Sequence, residues 1–351
     1  MEDKVKIVQA DQLRNYCIQL FQNLGVPADE AYTNADMVVE ADLCGVESHG
    51  VTRMGIYLKR LKLGVTRPAL EMKLITETPV IAVYDACNSM GAVVSKRAME
   101  IAIAKAKKVG MSFISVHNSN HNGMAAYWTK MALAHDMIGY SSTNSASRVA
   151  AWGSREPLLG TNPISYAFPA GKQLPIIPDQ ASCVVARGKV QLALAKKQPI
   201  PPGWAMDIDG AETTDPQAAL SGTIFPFGGY KGSGVAVTVE ILTGILGGGT
   251  FSTGVKDMYG HFTGPTTISH YFGAIDIAAF GSVQEFKDHV DELIISIKNS
   301  PKAKDVEEIF LPGEIELRRK AQRLSDGIPL SLVTLEDLKR QGEEYGVPCS
   351  L

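Results

Sequence analysis

Residues 80–116 read VIAVYDACNSMGAVVSKRAMEIAIAKAKKVGMSFISV, and this stretch determines the class of fold. Residues 80–84 are apolar and include β-branched and aromatic side chains, which is typical of a strand. Residues 92–109 form an alanine-rich helical pattern, and residues 111–116 form a second apolar strand. A strand, a helix and a second strand in succession predict a layered α/β core.

The same alternation continues downstream of this stretch. The pattern predicts helices over residues 127–135, 235–246 and 283–298, and strands over residues 137–142 and 270–276. We therefore expect one α/β core that extends far along the chain.

Both ends of the chain are predicted to be helical. Apolar residues recur at helical spacing on either side of residues 25–27 (GVP), and residues 312–344 read as two helices separated by residues 327–329 (GIP). The prediction divides the chain into an N-terminal helical segment (1–74), an α/β core with the ligand site (75–305) and C-terminal helices that pack on the first segment (306–351).

The composition excludes several classes of protein. The 34 basic and 37 acidic side chains give a net charge of −3, so neither nucleic acid nor an anionic membrane is indicated as a partner. The five cysteines form no CxxC pair, which argues against disulfide and zinc frameworks and fits the cytoplasm. Residues 1–9 lack the apolar run of a secretory signal, and residues 234–251 are interrupted by Glu240 and glycines.

Residues 48–53 (SHGVTR) carry the strongest chemical signal. His49 is able to exchange a proton near neutral pH, and Arg53 is able to clamp a carboxylate. Together they suit an enzyme that holds a small carboxylic acid and protonates a neighbouring oxygen. A structural alternative remains open, in which Ser48 caps a helix, His49 is a satisfied, partly buried imidazole and Arg53 is solvated.

Residues 116–123 (VHNSNHNG) follow a predicted buried strand, where α/β proteins tend to bind ligands. His117 and His121 have the i, i+4 spacing of a metal pair, but the intervening Asn-Ser-Asn indicates a loop, so no metal site is predicted. His121 alone, directed into a cleft, is the preferred interpretation. The alternative is that these polar residues only satisfy loop backbone.

Two further segments suit anionic or ribose groups. Residues 228–234 (GGYKGSG) precede the helix predicted from residue 235, so backbone N–H groups and Lys231 could bind a phosphate or carboxylate, or the segment could be a structural joint. Asp179 could bind a ribose hydroxyl, polarise a histidine or cap a helix. No GxGxxG motif follows a strand and opens a helix, so a Rossmann dinucleotide site is not supported.

Several segments together resemble one family, the type-2 malate/L-lactate dehydrogenases, which include ureidoglycolate, sulfolactate, diketogulonate and cyclic-imino-acid oxidoreductases. The matching segments span residues 41–314 in the family's order. They are Ala41-Asp42, Gly45, residues 48–53, 118–123, 160–163 (GTNP), 179–182 (DQAS), 186–189 (ARGK), 202–205 (PGWA), 213–216 (TTDP), 228–232 and 311–314 (LPGE).

The resemblance implies hydride transfer with NAD or NADP on a non-Rossmann, mixed-sheet α/β core beside a helical lobe built from both chain ends. It implies a homodimer with the active site near the subunit interface. His49 and His121 both inherit the proton-transfer role, with Ser48 helping to polarise the substrate carbonyl, and Arg53 anchors the carboxylate. The other residues it assigns are Asn120, Thr161 and Asn162 for substrate, and Ser142, Asp179, Gln180, Ala181, Lys231, Gly232, Gly313 and Glu314 for the cofactor.

One segment departs from the family's pattern. Members commonly read Asp-Met-Ala-Thr-Ser, whereas residues 179–183 read Asp-Gln-Ala-Ser-Cys, so the preference between NAD and NADP stays open. The prediction is a dehydrogenase of a small 2-hydroxy acid of the malate or L-lactate type. The alternatives are a ureidoglycolate or sulfolactate dehydrogenase, a cyclic imine reductase, or a catalytically silent relative that only binds a dinucleotide or a partner.

Overall fold

The computed structural model describes residues 5–351. Its helices are α1 (Ala10–Asn23), α2 (Ala28–Leu43), α3 (Met54–Lys62), α4 (Gly91–Val109), α5 (Ala125–Thr129), α6 (Arg187–Ala195), α7 (Pro216–Ser221), α8 (Tyr230–Glu240), α9 (Val283–Lys298), α10 (Glu314–Asp326) and α11 (Leu332–Tyr345). Its strands are β1 (Val5–Val8), β2 (Lys73–Glu77), β3 (Ile81–Asp85), β4 (Met111–Ser119), β5 (Met137–Thr143), β6 (Val149–Ala150), β7 (Pro157–Leu159), β8 (Ile164–Ala167), β9 (Asp179–Gln180), β10 (Ala205–Met206), β11 (Glu212–Thr213), β12 (Thr223–Ile224), β13 (Ile268–Asp276) and β14 (Ile328–Ser331).

A seven-stranded mixed sheet forms the centre of the core, in the order β2-β3-β4-β13-β5-β8-β9. Only the β3–β4 pair is parallel, and α4 is the crossover that joins these two strands, packing on β4 and β13. The buried side chains between α4 and the sheet include Ala98, Ala102 and Ile114. The predicted strand, helix and strand and the mixed-sheet α/β class are confirmed.

The two ends of the chain pack together as a helical lobe. Helix α10 packs on α2, and α11 packs on α1 and α3. The Tyr16 hydroxyl in α1 donates a buried hydrogen bond of 2.8 Å to the Leu338 carbonyl in α11. Strands β1 and β14 pair antiparallel, from Val5 opposite Ser331 to Val8 opposite Ile328, so the segment around residue 328, predicted only as a break between helices, is also a strand.

A smaller five-stranded sheet, in the order β11-β10-β12-β6-β7, packs with α6 and α7 around its own apolar cluster. Helix α8 begins at Tyr230, five residues before the predicted start, and ends in a π-helical turn (Ile241–Ile245). Lys231 and Gly232 therefore lie in the first turn of a helix and not in a loop that precedes it. The segments between this sheet, the main sheet and the helical lobe surround one deep cleft.

Candidate active site

The cleft has a volume of about 1080 Å³, which matches the upper end of the range for ligand-binding sites. Its walls come from the α2–α3 connection, the segment after β4, the segment around β9, the start of α6, and residues 257–259, 310–313 and 315–317. Five predicted site residues line it from the first two of these segments and from residue 161: Ser48, His49, Arg53, His121 and Thr161.

The SHG segment forms two short 3₁₀ turns (Glu47–His49 and Val51–Arg53) that lead into α3. Oδ2 of the buried Asp42 accepts a hydrogen bond of 2.8 Å from the Val51 N–H. The carboxylate of Asp42 lies so close to Gly50 that a Cβ there would be 2.0 Å from Oδ1. Burial raises the pKa of Asp42 to about 7. Asp42 thus fixes the backbone between His49 and Arg53.

Two imidazole rings stack against each other in the cleft wall. The ring centroids of His49 and His121 are 5.6 Å apart, and the rings are within 21° of parallel. The Ser48 hydroxyl lies 2.9 Å from Nδ1 of His49, so Ser48 orients the imidazole and caps no helix. Burial, assisted by the nearby Arg53 charge, lowers the pKa of His49 to about 4.

His121 is held through one ring nitrogen. The Tyr57 hydroxyl lies 2.7 Å from Nδ1, and the Gly123 N–H donates to the same atom at 3.2 Å. Because a backbone N–H can only donate, Nδ1 acts as an acceptor and the ring proton of neutral His121 belongs on Nε2. Burial, with the His49 charge next in importance, lowers the pKa of His121 well below its usual value.

Arg53 is oriented by two contacts. Its Nε donates to the Ser48 carbonyl at 2.6 Å, and its guanidinium lies 5.3 Å from the ring centroid of Tyr259. Both Nη groups lack a hydrogen-bond acceptor among residues 5–351, so they are available to a carboxylate on the same side as the two histidines. Two neutral imidazoles and a carboxylate clamp in one wall are suited to binding an oxygen-bearing acid and moving one proton.

The sequence model of the malate/L-lactate dehydrogenase family matches residues 8–339. The L-sulfolactate dehydrogenase of Methanocaldococcus jannaschii is 42% identical over 97% of this chain and 98% of its own length. The malate dehydrogenase of Pyrococcus abyssi is 38% identical over 99% and 96%. The solved structure of the M. jannaschii sulfolactate dehydrogenase superposes with a TM-score of 0.92, at 41% identity and 98% coverage of both chains.

This chain belongs to the malate/L-lactate dehydrogenase family. It is a hydroxy-acid dehydrogenase, as the family and these relatives indicate. Members use NAD or NADP: a Chromohalobacter salexigens relative (31% identical; 93% of this chain, 95% of its own) is named an NADP(+) sulfolactate dehydrogenase, and an Escherichia coli O157:H7 relative (30%; 89% and 90%) an NAD(+) ureidoglycolate dehydrogenase.

The rest of the dehydrogenase cleft fits a nicotinamide dinucleotide. Asp179, Gln180, Ala181 and Gly313, four of the residues assigned to the cofactor by the family resemblance, line it. Oδ2 of Asp179 accepts a hydrogen bond of 2.8 Å from the Ala126 N–H, and although the residue keeps contact with solvent, the surrounding protein raises its pKa to about 6. Gly313 has φ +85° and approaches Ile177 so closely that a Cβ would lie 2.7 Å from the Ile177 Cβ.

Charged side chains suited to phosphates and hydroxyls also line the cleft. Lys130, Arg148 and Arg187 line it. Lys130 pairs with the Glu40 carboxylate, Arg148 pairs with Asp257 at 2.5 Å, and one Nη of Arg187 donates to the Leu220 carbonyl at 3.0 Å. Glu316 adds a second carboxylate beside Asp179. Sequence reasoning assigned no role to the five charged residues that line the cleft here, Lys130, Arg148, Arg187, Asp257 and Glu316.

Two predicted substrate contacts are used inside the protein instead. Nδ2 of Asn120 donates to the Asn88 side chain and to the Asn88 and Ser89 carbonyls, while its Oδ1 accepts from the Thr66 and Thr266 hydroxyls. Asn162 has no exposed surface; its amide bonds to the Ala236 carbonyl, Glu240 and the Ser145 N–H. Neither side chain lines the cleft, and the polar atoms of both side chains already have partners within the protein.

Two predicted cofactor contacts are likewise occupied. Ser142 is fully buried in β5, where its Oγ accepts a hydrogen bond of 3.0 Å from the Tyr140 hydroxyl. The Glu314 carboxylate is paired with Lys298 and Arg318 and accepts the Leu311 N–H at 3.1 Å, which closes the turn at residues 311–314. Gly313, the residue before it, is the one that lines the cleft.

Lys231 and Gly232 lie outside the cleft of this chain. Lys231 is exposed on the first turn of α8, and Gly232 is enclosed by backbone atoms of Phe227 and Ser182. His117, the other half of the rejected metal pair, faces Asp85 at 3.8 Å. Within residues 5–351 no three His, Cys, Asp or Glu side chains come together as a metal site would require. The described helices include none that is long and apolar enough to cross a membrane.

Tyr57 and Tyr259 are two further site residues that sequence reasoning missed. Tyr57 lies four residues after Arg53, one helical turn along the same face, and this spacing was a usable signal. Tyr259 is 206 residues from Arg53 in the chain, and no local pattern links the two.

Proposed function

We propose that this chain interconverts a small 2-hydroxy acid and its 2-oxo acid by hydride transfer at C2, with NAD or NADP as cofactor. The arrangement that supports this proposal is the pair of stacked imidazoles, His49 and His121, beside the free Nη groups of Arg53. When bound, the nicotinamide supplies or accepts the hydride. The residues of the chain supply carboxylate binding and proton transfer.

Arg53 holds the substrate carboxylate, which places C2 and its oxygen beside the histidines. Fixing the two reactants in this geometry removes much of the entropic barrier. In oxidation one of His49 and His121, as the neutral imidazole, takes the proton of the C2 hydroxyl and becomes imidazolium, and in reduction that imidazolium returns the proton to the C2 oxygen. The other histidine donates a hydrogen bond that polarises the same oxygen. Positioned acid–base catalysis of this kind contributes on the order of 10²–10⁴ in rate.

Other residues of the same cleft would hold the cofactor. Asp179 and Glu316 are suited to ribose hydroxyls, and Lys130 and Arg187 to phosphates. Cys183 in the same cleft takes no part as a nucleophile, because burial raises its pKa to about 11 and the thiol stays protonated.

The test is a substrate panel with NADH and NADPH, read as loss of nicotinamide absorbance. The panel contains pyruvate, oxaloacetate, a sulfonated 2-oxo acid, an oxidised ureido acid and a cyclic imine. Turnover of one 2-oxo acid supports the proposal and identifies the substrate. Turnover of the cyclic imine alone would favour imine reduction, and binding of NADH without any turnover would favour the binding-only alternative.

We further propose a homodimer built on the outer face of α8. Exposed apolar side chains cluster there, namely Trp152, Tyr230, Val237, Ile241, Ile245 and Phe251. Several exposed large apolar side chains on one helix face are typical of a subunit interface. Lys231, on the same helix, would then lie near the partner's surface, which accounts for its position outside this chain's cleft. Analytical ultracentrifugation of the wild type and of Ile245→Glu tests this; a wild-type monomer would contradict it.

A further inference from the structure

The loop 256–266 forms part of the substrate side of the cleft. It lies between a short 3₁₀ turn (Ser252–Gly254) and β13, and a hydrogen bond of 2.9 Å from the Lys256 N–H to the Thr266 carbonyl closes it. Asp257 and Tyr259 of this loop line the cleft. With no regular secondary structure of its own, the loop needs contacts from elsewhere to keep these two side chains in place.

Those contacts come mainly from Arg60 in α3. The guanidinium is buried, with 3% of the residue exposed, and it donates to carbonyl oxygens on four residues. Nη1 donates to His261 at 2.7 Å and Met258 at 3.4 Å, and Nη2 to Gly264 at 3.1 Å and Val65 at 3.3 Å. Three of the four acceptors belong to the loop. A planar guanidinium can hold several carbonyls at fixed angles, which an ammonium group cannot do.

The same helix face carries the catalytic wall. Arg53, Tyr57 and Arg60 are spaced i, i+4 and i+7, which places them in one row along α3 and the turn before it. Arg53 contacts Tyr259 through its guanidinium, and Tyr57 contacts His121. Lys59, the residue before Arg60, makes a second contact between α3 and the loop: its Nζ is 4.1 Å from the ring centroid of Phe262.

We infer that Arg60 is a positioning residue for substrate binding. It fixes the loop 256–266 on α3, so that Tyr259 stays against the Arg53 guanidinium and Asp257 stays paired with Arg148. Without this anchor Arg53 loses one of its two orienting contacts, and the carboxylate is held less well. The effect on catalysis rests on the proposed dehydrogenase function, whereas the anchoring of the loop does not.

The experiment compares wild type, Arg60→Gln, Arg60→Lys and a control, Lys62→Gln, which changes an exposed side chain of the same helix. In Arg60→Gln we expect KM for the 2-oxo acid to rise about tenfold or more, with kcat and KM for NADH changed less than about threefold. KM for the 2-oxo acid in Arg60→Lys should lie between the values for wild type and Arg60→Gln. Lys62→Gln should have the wild-type KM. Equal loss of kcat and of NADH affinity in the Arg60 variants would overturn the inference.

A double-mutant cycle tests whether Arg60 acts through the loop. If it does, Arg60→Gln should add little to KM in a Tyr259→Ala background, because the side chain it positions is already absent. Full additivity of the two changes would contradict the inference.

Hydrogen exchange gives a readout that needs no activity. Amides of residues 257–264 should exchange at least about tenfold faster in Arg60→Lys, which keeps the charge and is the variant better suited to fold, while amides of β4 stay protected. Unchanged exchange in this loop would overturn the anchoring role. Faster exchange in a protein whose wild type turns over no substrate would leave the anchor standing and refute the dehydrogenase proposal alone.

Discussion

The Tyr57 hydroxyl lies 2.7 Å from Nδ1 of His121, and this contact joins α3 to the segment that follows β4. It leaves Nε2 as the ring nitrogen available to a substrate. In Tyr57→Phe we expect kcat to fall about fivefold, since the ring loses one orienting contact and a buried hydrogen bond is worth about 1 kcal/mol. Tyr127→Phe, which removes a hydroxyl bonded to Asp36, is the matched control. Equal kcat in Tyr57→Phe and wild type would contradict the orienting role.

His49→Gln and His121→Gln should each lower kcat by a factor on the order of 10²–10⁴ while Kd for NADH changes only a few-fold. The larger loss identifies the residue that transfers the proton. His289→Gln, on the exposed face of α9, is the control for loss of an imidazole. Wild-type turnover by both site variants would refute the assignment.

The low pKa of His49, about 4, predicts a pH profile. In hydroxy-acid oxidation a neutral imidazole must accept the proton, so kcat/KM should stay level from pH 8 to about pH 5.5 and fall below that as the histidine protonates. The measurement is initial oxidation rate against pH at low substrate concentration. A fall that begins at the ordinary histidine value near 6.5 would show that protonation of neither half-buried cleft imidazole limits the reaction.

Arg53→Lys should raise KM for the acid about tenfold to a hundredfold with a smaller change in kcat. A lysine keeps the charge but loses the two Nη donors and the contact from Nε to the Ser48 carbonyl. Arg340→Lys, at an exposed position in α11, controls for the substitution itself. An unchanged KM would place the carboxylate elsewhere in the cleft.

Asp42 should make stability depend on pH. Its pKa is about 7 in the folded protein and near 3.8 when unfolded, so between pH 4 and 7 the folded state binds more protons and stability falls as pH rises. Asp42→Asn removes this effect and keeps an acceptor for the Val51 N–H. The free energy of unfolding of the variant relative to wild type should therefore increase by about 2–3 kcal/mol from pH 5 to pH 8. The histidines contribute equally to both proteins and cancel in this comparison. If the difference in free energy of unfolding between Asp42→Asn and wild type does not vary with pH, the prediction is wrong.

Gly50→Ala should lower both stability and activity. The new Cβ would lie 2.0–2.5 Å from the Asp42 carboxyl atoms, so the turn that carries His49 must move. Overpacking of this kind costs about 1–3 kcal/mol, measured as the free energy of unfolding. Gly281→Ala, just before α9 with open space around it, should be neutral or slightly stabilising. If the free energy of unfolding of Gly50→Ala equals that of the wild type, the turn adapts to the new Cβ without cost.

The sequence alone determined the class of core and the position of the chemistry. The order of apolar and polar side chains over residues 80–116 predicts a strand, a helix and a second strand, and the structure contains all three. Ser48, His49 and Arg53 lie within six residues, so one backbone turn brings them together wherever it is placed. His121 and Asp179 were found because each follows an apolar strand-like segment and belongs to a family motif.

Only the tertiary structure decided which of the polar residues face the cleft. Asn120 is paired with Thr266, Asn162 with Glu240, and Glu314 with Lys298, over separations that no local period records. The β1–β14 pairing was also not predictable from the sequence, because the two strands are more than 300 residues apart in the chain. The two-residue strands of the smaller sheet are too short to show an alternating pattern. A buried polar side chain must find a partner, and packing of distant segments determines whether that partner is the protein itself or a ligand.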